Sequence, residues 1–563
     1  MYLCLSLGHN SSAVMLFENG DNPIGYEEER LSKKKSDSAF PIQSITRILE
    51  VVGPAAADEV KEIYISHWFD NFDANFAENK YYSASKLKAL FPNAVLTTTR
   101  IGAFSHHDAH AESVAAFFAY HDGRSDQLRL NVDTRPELVL VVDGFGNNSE
   151  VASLYQLDAY GFPMKKETIF GYERSLGLLY QYAAEAVGMD GMNDVYKFLG
   201  YRTHIKPHEL TRCDALATKI KSLYLVGWMN PALFRTPPPV KHASLIDYEK
   251  LEWVKEDSIR LFSSIIDDDQ FMSRARVGYV VQKVLEDVIL QYLSVRKFKT
   301  LLVAGGVFYN VRLNDRLRKT YPDIKFCAMP LAGDQGAGIG LAFAYGKLID
   351  HEFKNLFWGI RPADETSNIE KIIIDDAGIE RIAGTIAAGV IVNVFHGPME
   401  FGPRSLCNTS TLALCQRDLV DAINTANGRT TVMPMAPAML EEVTPYLFSK
   451  ADLDRTVASD KFMITAHNFL ITVNVNELGG AMHRDVDGSY SGRPQIISED
   501  TDFMYRLLKV LLKKHDVRAV INTSLNIHGK PIIYSQQDLQ AVNDEWVKTC
   551  PSYFNTFILE QPK

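Results

Sequence analysis

Two apolar segments interrupted by small polar turns most constrain the fold of this chain. Residues 2–7 form a short apolar run, which a turn of small polar residues separates from a second run at residues 13–17. Residues 138–142 form a similar run, followed by Asp143-Gly144-Phe145-Gly146 and by the strand-like residues 151–156. Short apolar runs bounded by glycine and polar residues are typical of buried strands. The sequence therefore predicts that one strand-turn-strand pattern occurs twice.

Length, composition and net charge limit the classes of protein to which this chain can belong. The chain has 563 residues, which is too long for one ordinary core and predicts two large domains. Apolar residues make up 46% of the chain and charged residues 23%, as in globular proteins. The net charge of −10 argues against a large non-specific nucleic-acid clamp, although it leaves room for a local basic groove.

Cysteine use and hydropathy predict the compartment. The six cysteines lie far apart without CxxC pairs, which favours reduced thiols in a cytoplasmic protein. The chain starts in a strand-like stretch without a basic region and cleavage site, and no apolar run approaches 18 residues. We therefore expect no secretion and no membrane partner.

A helical histidine pair is the first candidate site. His106 and His110 are four residues apart, so on a helix they project from one face, whereas His107 points elsewhere. Such pairs can hold a metal ion but also occur as core or surface residues. Asp143 at a strand end and Asp334 in a glycine-rich turn could supply the missing ligands. Two histidines and two aspartates would suit iron(II), manganese or zinc.

Other motifs in the first half are less specific. The glycines of the turn 305–310 follow a strand and could accept adenosine or phosphate, but structural turns use the same residues. The charged run 27–35 is more simply a solvated surface. Residues 205–270 carry little signal and are interpreted as an insertion, and residues 351–364 as a linker.

The second half carries separated arginines near small polar residues. Arg404 lies in a turn stiffened by two Gly-Pro steps, and Arg429 and Arg493 follow in other loops. The strand-loop 520–526 adds Asn522 and Ser524. Arginines and small polar side chains of this kind could surround a polyphosphate, although each arginine alone is more simply a surface residue. The sequence has no GxxxxGK[ST] loop, which excludes a P-loop site.

Eight motifs together resemble one known family over nearly the whole chain. They are Gly8-His9-Asn10-Ser11-Ser12, Glu27-Glu28-Glu29-Arg30, His106-His107-Asp108-Ala109-His110-Ala111, Asp143-Gly144-Phe145-Gly146, Gly305-Gly306-Val307, Gly402-Pro403-Arg404-Ser405-Leu406, Arg493-Pro494-Gln495 and Asn522-Thr523-Ser524-Leu525-Asn526. The chain resembles the O-carbamoyltransferases, which include nodulation-factor and antibiotic enzymes. The resemblance implies an α/β and α+β protein: a duplicated actin-like domain at 1–355, similar to tRNA threonylcarbamoyltransferases, and a YrdC-like α/β domain at 356–563.

The resemblance also implies a two-step reaction. Carbamoyl phosphate and ATP, with Mg²⁺, would form carbamoyladenylate in the second domain, where Arg404, Arg429 and Arg493 hold phosphates and Asn522 and Ser524 position the nucleotide. A divalent metal, iron(II) foremost, on His106, His110, Asp143 and Asp334 would then assist transfer to a hydroxyl. The implied catalytic residues are His9, which would meet the substrate hydroxyl, His107 and Arg404. Lys35 would neutralise the adenylate phosphate, and the further predicted cofactor-binding residues are Gly305, Gly306 and Asn310.

Two departures concern the phosphates and the acceptor. Residues 427–434 lack a basic run of the antibiotic-type relatives, so one phosphate ligand is absent or replaced, for instance by Lys530. Residues 193–201 look more like phage-encoded members, some of which act on hydroxymethylated pyrimidines, so DNA or a nucleotide is one expected acceptor and a sugar or antibiotic another. A non-catalytic nucleotide-binding protein and a metallohydrolase stay open as alternatives. The expected location is a bacterial cytoplasm, or the host's if the chain is phage-encoded, and a homodimer is one expected assembly.

Overall fold

The computed structural model describes residues 1–68, 83–99, 104–122, 135–234, 247–346, 353–362, 367–429, 434–449, 453, 456–498, 502–549 and 554–562. They form two compact units, Met1–Glu28 with Ser36–Lys354 and Glu29–Lys35 with Asn355–Lys563. The sequence places residues 29–35 in the first domain, whereas the structure groups them with the second unit. The functions assigned to the two domains stay predictions.

The first unit contains two sheets with the same topology. Its strands are β1 (Tyr2–Ser6), β2 (Ser12–Leu16), β3 (Ile24–Glu27), β4 (Glu62–Ser66), β5 (Val95–Thr98), β6 (Glu137–Val142), β7 (Glu150–Leu157), β8 (Pro163–Phe170), β9 (Thr300–Ala304) and β10 (Lys325–Ala328). The strand orders are β3-β2-β1-β4-β5 and β8-β7-β6-β9-β10. In both sheets the first three strands are antiparallel and the last two join in parallel. The repeated sheet confirms the predicted duplicated α/β fold.

Helices cover these sheets. They are α1 (Glu28–Ser32), which enters the second unit after Glu28, α2 (Ile42–Val52), α3 (Ala56–Glu59), α4 (Ala84–Leu90), α5 (His106–His121), α6 (Leu176–Ala186), α7 (Val195–Phe198), α8 (Leu210–Met229), α9 (Tyr248–Phe262), α10 (Gln270–Ser294), α11 (Val311–Thr320) and α12 (Ala337–Ala344). A Cβ on Gly340 would lie 1.8 Å from the carbonyl oxygen of Ala109, so glycine lets α12 approach α5 closely. Helices α8 and α9 lie in the segment interpreted as an insertion.

Only the lysine end of the charged run 27–35 is a solvated surface, so the simpler interpretation is wrong for its first half. Glu27, Glu28 and Arg30 are buried, whereas Lys33 and Lys34 are exposed. The Glu28 carboxylate accepts hydrogen bonds from the backbone N–H and the hydroxyl of Ser44, at 2.9 and 2.8 Å. Charges are tolerated inside a protein when hydrogen bonds replace water, and here the partners are far away in sequence.

The second unit is built around a seven-stranded mixed sheet. Its strands are β11 (Phe357–Gly359), β12 (Glu370–Ile373), β13 (Ile391–His396), β14 (Met399–Glu400), β15 (Thr409–Leu414), β16 (Ala436–Leu440), β17 (His467–Asn468), β18 (His483–Arg484), β19 (Tyr490–Gly492), β20 (Gln495–Ile497), β21 (Ala519–Ser524) and β22 (Phe554–Glu560). The main sheet has the order β12-β22-β13-β15-β21-β16-β20, and the smaller sheets are β11-β14 and β17-β19-β18.

Helices of the second unit pack against this sheet. They are α13 (Asp376–Ala387), α14 (Arg417–Ala426), α15 (Thr444–Leu447), α16 (Val475–Leu478), α17 (Asp502–His515) and α18 (Gln536–Thr549). Strand β11 lies inside the predicted linker 351–364, which is therefore not an open connection along its described residues. Trp358 of β11 is 2% exposed and stacks on Phe401 at 5.1 Å, so aromatic burial fixes this stretch.

The described cysteines and helices bear on the expected compartment. Five of the six cysteines lie in the described ranges, where they are buried and form no disulfide. Among the helices that the structure describes, none has both the length and the apolar character that a bilayer crossing requires.

Candidate active sites

The four predicted metal ligands come together in the first unit. His106 and His110 lie on the first two turns of α5, Asp143 follows β6, and Asp334 begins the short 3-10 turn Asp334–Gly336 before α12. One potential ligand atom from each side chain lies within 4.8 Å of the others. The Nε2 atoms of the histidines are 3.1 Å apart, and Asp143 Oδ2 is 3.3 Å from His110 Nε2. Asp334 Oδ1 is 3.3 Å from His106 Nε2.

Neighbouring side chains orient this cluster. Ser105 and Asp108 form a capping box at the start of α5, which fixes the first helical turn. Asn147 Oδ1 accepts a hydrogen bond of 2.7 Å from the backbone N–H of His106. Ser66 Oγ lies 3.2 Å from His106 Nδ1, so the ring is held through the nitrogen that faces away from the cluster. Ser66 and Asn147 carry no local signal that would have singled them out in the sequence.

The cluster has the chemistry of a metal site. Burial alone would favour a neutral ring, but Asp334 and Asp143 raise the pKa of His106 to about 10. Burial also opposes ionisation of Asp143, yet interactions with His106 and His110 hold the pKa of this carboxyl below its usual range. Asp143 Oδ2 is buried and, among the described residues, has no hydrogen bond of standard geometry. Donor separations of 3.1–3.9 Å fit ligands that share one ion at about 2.0–2.2 Å.

A cavity of about 460 Å³ adjoins the cluster. Asp143 and Asp334 line it, as do His9 and Gly306. Its apolar wall is formed by side chains from several elements: Trp68, Phe145, Leu178, Tyr182 and Leu251. Leu251 belongs to α9, so the segment interpreted as an insertion contributes to this wall. The volume is within the range of about 300–1,000 Å³ that small-molecule sites occupy.

Two glycines, Gly8 in the cavity lining and Gly305 next to the lining residue Gly306, leave no room for a side chain. Gly8 has φ +133°, and a Cβ there would lie 2.0 Å from Trp68 Nε1 and 2.9 Å from Asp334 Oδ2. Gly305 has φ +95°, and its Cβ would lie 2.3 Å from the carbonyl oxygen of Val142. Asn310 uses its side chain to cap α11 and to contact Gln282. The nucleotide-binding roles of Gly305, Gly306 and Asn310 stay predictions.

His107 lies apart from the cavity. Its side chain is fully buried, and its Nδ1 is 2.9 Å from Ser153 Oγ on β7. The His107 ring packs against Gly146. A Cβ on Gly146 would lie 2.9 Å from His107 Cδ2, so a larger residue would crowd the ring. Burial lowers the pKa of His107 well below its ordinary value. This placement indicates that His107 supports the loop after β6, and the catalytic role that the resemblance implies for it stays a prediction.

The second unit brings the predicted arginine and amide residues around β21. Asn522 Nδ2 donates to Ser405 O at 2.9 Å, beside Arg404 in the chain, and to Gln495 Oε1 at 2.5 Å, two residues after Arg493. Arg429 donates to Thr523 Oγ1 at 3.1 Å and to Ser524 Oγ at 3.4 Å. All five predicted phosphate and nucleotide ligands of this unit therefore belong to this group of hydrogen-bonded residues around β21 or lie within two residues of it.

Two arginines of this cluster, Arg429 and Arg493, have no carboxylate partner among the described residues. Burial lowers the pKa of Arg429 to about 10. Burial, followed by repulsion from Arg404, lowers the pKa of Arg493. In the ranges that the structure describes, neither Arg429 nor Arg493 forms an ion pair with a carboxylate. Partly buried cations without a protein counter-charge favour the binding of an anion.

The predicted substitute ligand and the divergent loop are only partly described. Lys530 has an exposed side chain, and its backbone oxygen accepts a 2.8 Å hydrogen bond from Asn526. Asn427 accepts a hydrogen bond of 3.1 Å from Trp546, which is a structural contact. Residues 430–433 of the divergent loop lie outside the described residues.

Family profiles match both units. The carbamoyltransferase N-terminus profile matches residues 105–343, and the carbamoyltransferase C-terminus profile matches residues 383–548. The chain belongs to the carbamoyltransferase family. The resemblance inferred from the eight motifs is thereby confirmed.

Two relatives of this carbamoyltransferase align along most of their own length. An uncharacterized protein of Methanocaldococcus jannaschii is 24% identical over 96% of this chain and 95% of its own. Nodulation protein NolNO of Sinorhizobium fredii is 25% identical over 94% of this chain and 76% of its own. These alignments cover both units.

Solved structures show weaker likeness. Component A of the Acidaminococcus fermentans (R)-2-hydroxyglutaryl-CoA dehydratase covers 61% of this chain and 96% of its own, at 12% identity and a TM-score of 0.31. P. abyssi Sua5 covers 34% of this chain and 50% of its own, at 15% identity and a TM-score of 0.24. These scores are too low to assign a fold, which is defined here by the strand orders.

A buried carboxylate holds the loop that carries Arg404. Glu400 is fully buried, and its Oε1 accepts hydrogen bonds from the backbone N–H groups of Leu406, Asn408 and Thr409, at 2.8–3.0 Å. Its Oε2 accepts from Thr409 Oγ1 at 2.7 Å. The sequence did not single out Glu400, because an acidic residue before a Gly-Pro-Arg turn could equally be a surface residue.

Replacing Glu400 with alanine is expected to lower the free energy of unfolding by about 3 kcal/mol, because three buried N–H groups lose their acceptor. Urea denaturation measures this change. The matched control is Glu442→Ala, which removes an exposed ion pair with Lys509 and should cost less than about 1 kcal/mol. Equal, small losses in both variants would show that Glu400 does not organise the loop.

His396 makes the stability of the carbamoyltransferase depend on pH. Burial, followed by repulsion from Arg361, lowers the pKa of His396 to about 4, and the ring contacts the carbonyl oxygen of Cys407 at 3.2 Å. A free histidine has a pKa of about 6.5, so the unfolded chain binds a proton first as the pH falls. Stability is therefore present above about pH 6.5 and is lost as the pH falls toward about 4.

We expect the wild type to lose about 2–3 kcal/mol more of its unfolding free energy than His396→Gln between pH 7 and pH 4.5. Urea denaturation at the two pH values gives the difference. His515→Gln, which changes an exposed histidine, should follow the wild type. A parallel loss in wild type and His396→Gln would contradict the assignment.

Proposed function

We propose that this carbamoyltransferase forms carbamoyladenylate in its second unit and transfers the carbamoyl group to an acceptor hydroxyl in its first unit. The observation that carries the proposal is that Arg429 and Arg493, near Arg404 and Asn522, have no carboxylate partner among the described residues. In the first step carbamoyl phosphate, ATP and one water give carbamoyladenylate, phosphate and pyrophosphate. In the second step the acceptor hydroxyl displaces AMP and releases a proton.

Adenylation suits the groups of the second unit. Arg404, Arg429 and Arg493 would offset the negative charge of the reacting phosphates, and arginine forks match phosphate oxygens in pairs. Asn522 Oδ1 is buried and has no hydrogen-bond partner among the described residues, so it is a candidate acceptor for a donor group of the nucleotide. Ser524 Oγ lies beside it on β21. Mg²⁺ would accompany ATP, as in other phosphate-transfer sites.

Transfer would take place at the cavity of the first unit. His106, His110, Asp143 and Asp334 would hold a divalent ion, which when bound supplies a Lewis acid for the carbamoyl carbonyl. His9 lines the cavity and would accept the proton of the acceptor hydroxyl. The apolar wall would orient the body of the acceptor and exclude water, which otherwise competes with the acceptor. Lys35, which the structure groups with the second unit, stays a candidate for neutralising the adenylate phosphate, without a site assigned to it.

The segment 193–201 supports one class of acceptor hydroxyl. A primary hydroxyl on a hydroxymethylated pyrimidine, in DNA or as a nucleotide, is our first candidate, because residues 193–201 resemble phage-encoded relatives. Val195 and Leu199, which belong to that segment, line the cavity. Hydroxyls of a sugar or an antibiotic are the second candidate.

Two measurements test the proposal. Incubation with ATP, carbamoyl phosphate and a divalent ion should release pyrophosphate, and omission of carbamoyl phosphate should stop the release. Mass spectrometry of a hydroxyl-compound panel, including hydroxymethylated DNA, should then show the gain of one carbamoyl group. No pyrophosphate under any divalent ion would favour a non-catalytic nucleotide-binding protein, and turnover without carbamoyl phosphate would favour a metallohydrolase.

A further inference from the structure

The segment Glu29–Lys35 is part of the second unit although it follows β3 in the chain. Two cations attach it there. The Arg30 guanidinium donates a hydrogen bond of 2.6 Å from Nη2 to the carbonyl oxygen of Gly402. Lys33 forms an ion pair with Asp538, which also accepts hydrogen bonds from the backbone N–H groups of Tyr534 and Ser535. The first contact is buried and the second is partly exposed.

The Arg30 contact falls on the peptide that leads into Arg404. Gly402 has φ +104°, a conformation that favours glycine, and its carbonyl belongs to the peptide bond with Pro403. The proline ring restricts φ at the next position, so the orientation of this peptide plane is passed on to Arg404. Glu400 holds the later part of the same loop through Leu406, Asn408 and Thr409. The loop is therefore held on both sides of Arg404, and Arg30 holds the side that precedes it in the chain.

Burial indicates that this contact is specific. The Arg30 side chain is 1% exposed, and burying a guanidinium is costly unless its donors are used. A cation that only attached the segment to the second unit could stay exposed, as Lys33 does. A hydrogen bond from a charged donor to a buried carbonyl contributes more than an ordinary one and fixes the direction of its acceptor.

We propose that Arg30 is a positioning residue for Arg404 in the adenylation step. The inference rests on the proposed function, since it assigns Arg30 to the step in which Arg404 meets phosphate. Arg30 does not itself contact the substrate in this proposal. It holds the Gly402-Pro403 peptide so that the Arg404 guanidinium is oriented before the phosphate binds, which lowers the entropy that the reaction must lose.

The test compares Arg30→Met with Lys33→Met in the full-length protein, using pyrophosphate release from ATP and carbamoyl phosphate. Methionine keeps an unbranched apolar stem and removes the charged donors. Arg30→Met should lower kcat at least tenfold with little change in the KM values, because the lost orientation acts on the transition state. Lys33→Met, which loosens the same segment, should stay within about twofold of the wild type. Arg30→Lys should recover part of the rate, because an ammonium can still donate to Gly402 O.

A double-mutant comparison separates positioning from a general structural role. In an Arg404→Ala background, Arg30→Met should have little further effect on adenylation, because the group that it orients is gone. An equal loss in both backgrounds, or an equal loss in Lys33→Met, would overturn the proposal. If Arg30→Met does not fold, the same comparison is made with Arg30→Lys. The proposal is then overturned if Arg30→Lys has the rate of the wild type, or if its loss is equal in both backgrounds.

The wild-type measurement keeps this inference apart from the proposed function. If the wild type releases no pyrophosphate, the proposed adenylation is wrong, and the proposed role of Arg30 is wrong as well. If Arg404→Ala is impaired and Arg30→Met is not, only the positioning role is wrong.

Discussion

Replacing Arg404 with alanine is expected to slow pyrophosphate release by about 30- to 1,000-fold, which corresponds to about 2–4 kcal/mol of lost transition-state stabilisation. Arg404 lies in a loop held by Glu400 and Arg30, and we expect this support to orient its guanidinium before the phosphate binds. Arg404→Lys should recover only part of the rate, because an ammonium cannot form the two parallel hydrogen bonds of a guanidinium. Steady-state kinetics with ATP and carbamoyl phosphate gives both values.

A rescue experiment locates the Arg404 defect. Preformed carbamoyladenylate should restore acceptor carbamoylation by Arg404→Ala, because the residues that we assign to transfer are unchanged. The control is wild-type protein supplied with the same adenylate. If the wild type uses the adenylate and Arg404→Ala does not, Arg404 acts in a different step from the one proposed.

Replacing His110 with alanine is expected to remove the metal ion and acceptor carbamoylation while sparing pyrophosphate release. His110 Nε2 lies within 3.1–3.9 Å of the other three candidate donors, so alanine takes away one of four side-chain ligands. Adenylation is assigned to the second unit and should not depend on this ion. Metal content by elemental analysis and pyrophosphate release are measured on the same preparation.

The matched control for His110 is His208→Ala, which changes an exposed histidine outside the cluster. It should keep the metal content and both activities of the wild type. Equal loss of both steps in a folded His110→Ala protein would argue against two separate sites. Unchanged metal content in His110→Ala would show that the ion is held elsewhere.

Local patterns predicted the first site well. The spacing of His106 and His110 is a property of one helix, and Asp143 and Asp334 each follow a short strand. The local structure around each of these residues could therefore be predicted from the neighbouring sequence. The repeated strand-turn-strand pattern likewise predicted the duplicated sheet, because strand burial and turn chemistry are local. What the sequence could not supply was the distance between the ends of β6 and β10, which depends on how the strands are ordered.

The position of His107 follows from helix geometry rather than from its place in the motif. The residue lies between two candidate ligands, but a helix turns about 100° per residue and directs its side chain toward β7. Proximity in the sequence therefore did not bring His107 to the cavity.

By itself the sequence determined the donor types, the duplicated first half, the arginine-bearing turn and the family. Only the tertiary structure decided that residues 29–35 join the second unit, that Glu400 holds the Arg404 loop and that Arg30 donates to Gly402. Arg30 and Gly402 are 372 positions apart. Helix spacing and strand alternation extend over a few residues, whereas the partner of a buried charge is set by the packing of distant segments. That is why a run such as Glu27 to Lys35 suggests solvent exposure in the sequence and is partly buried in the fold.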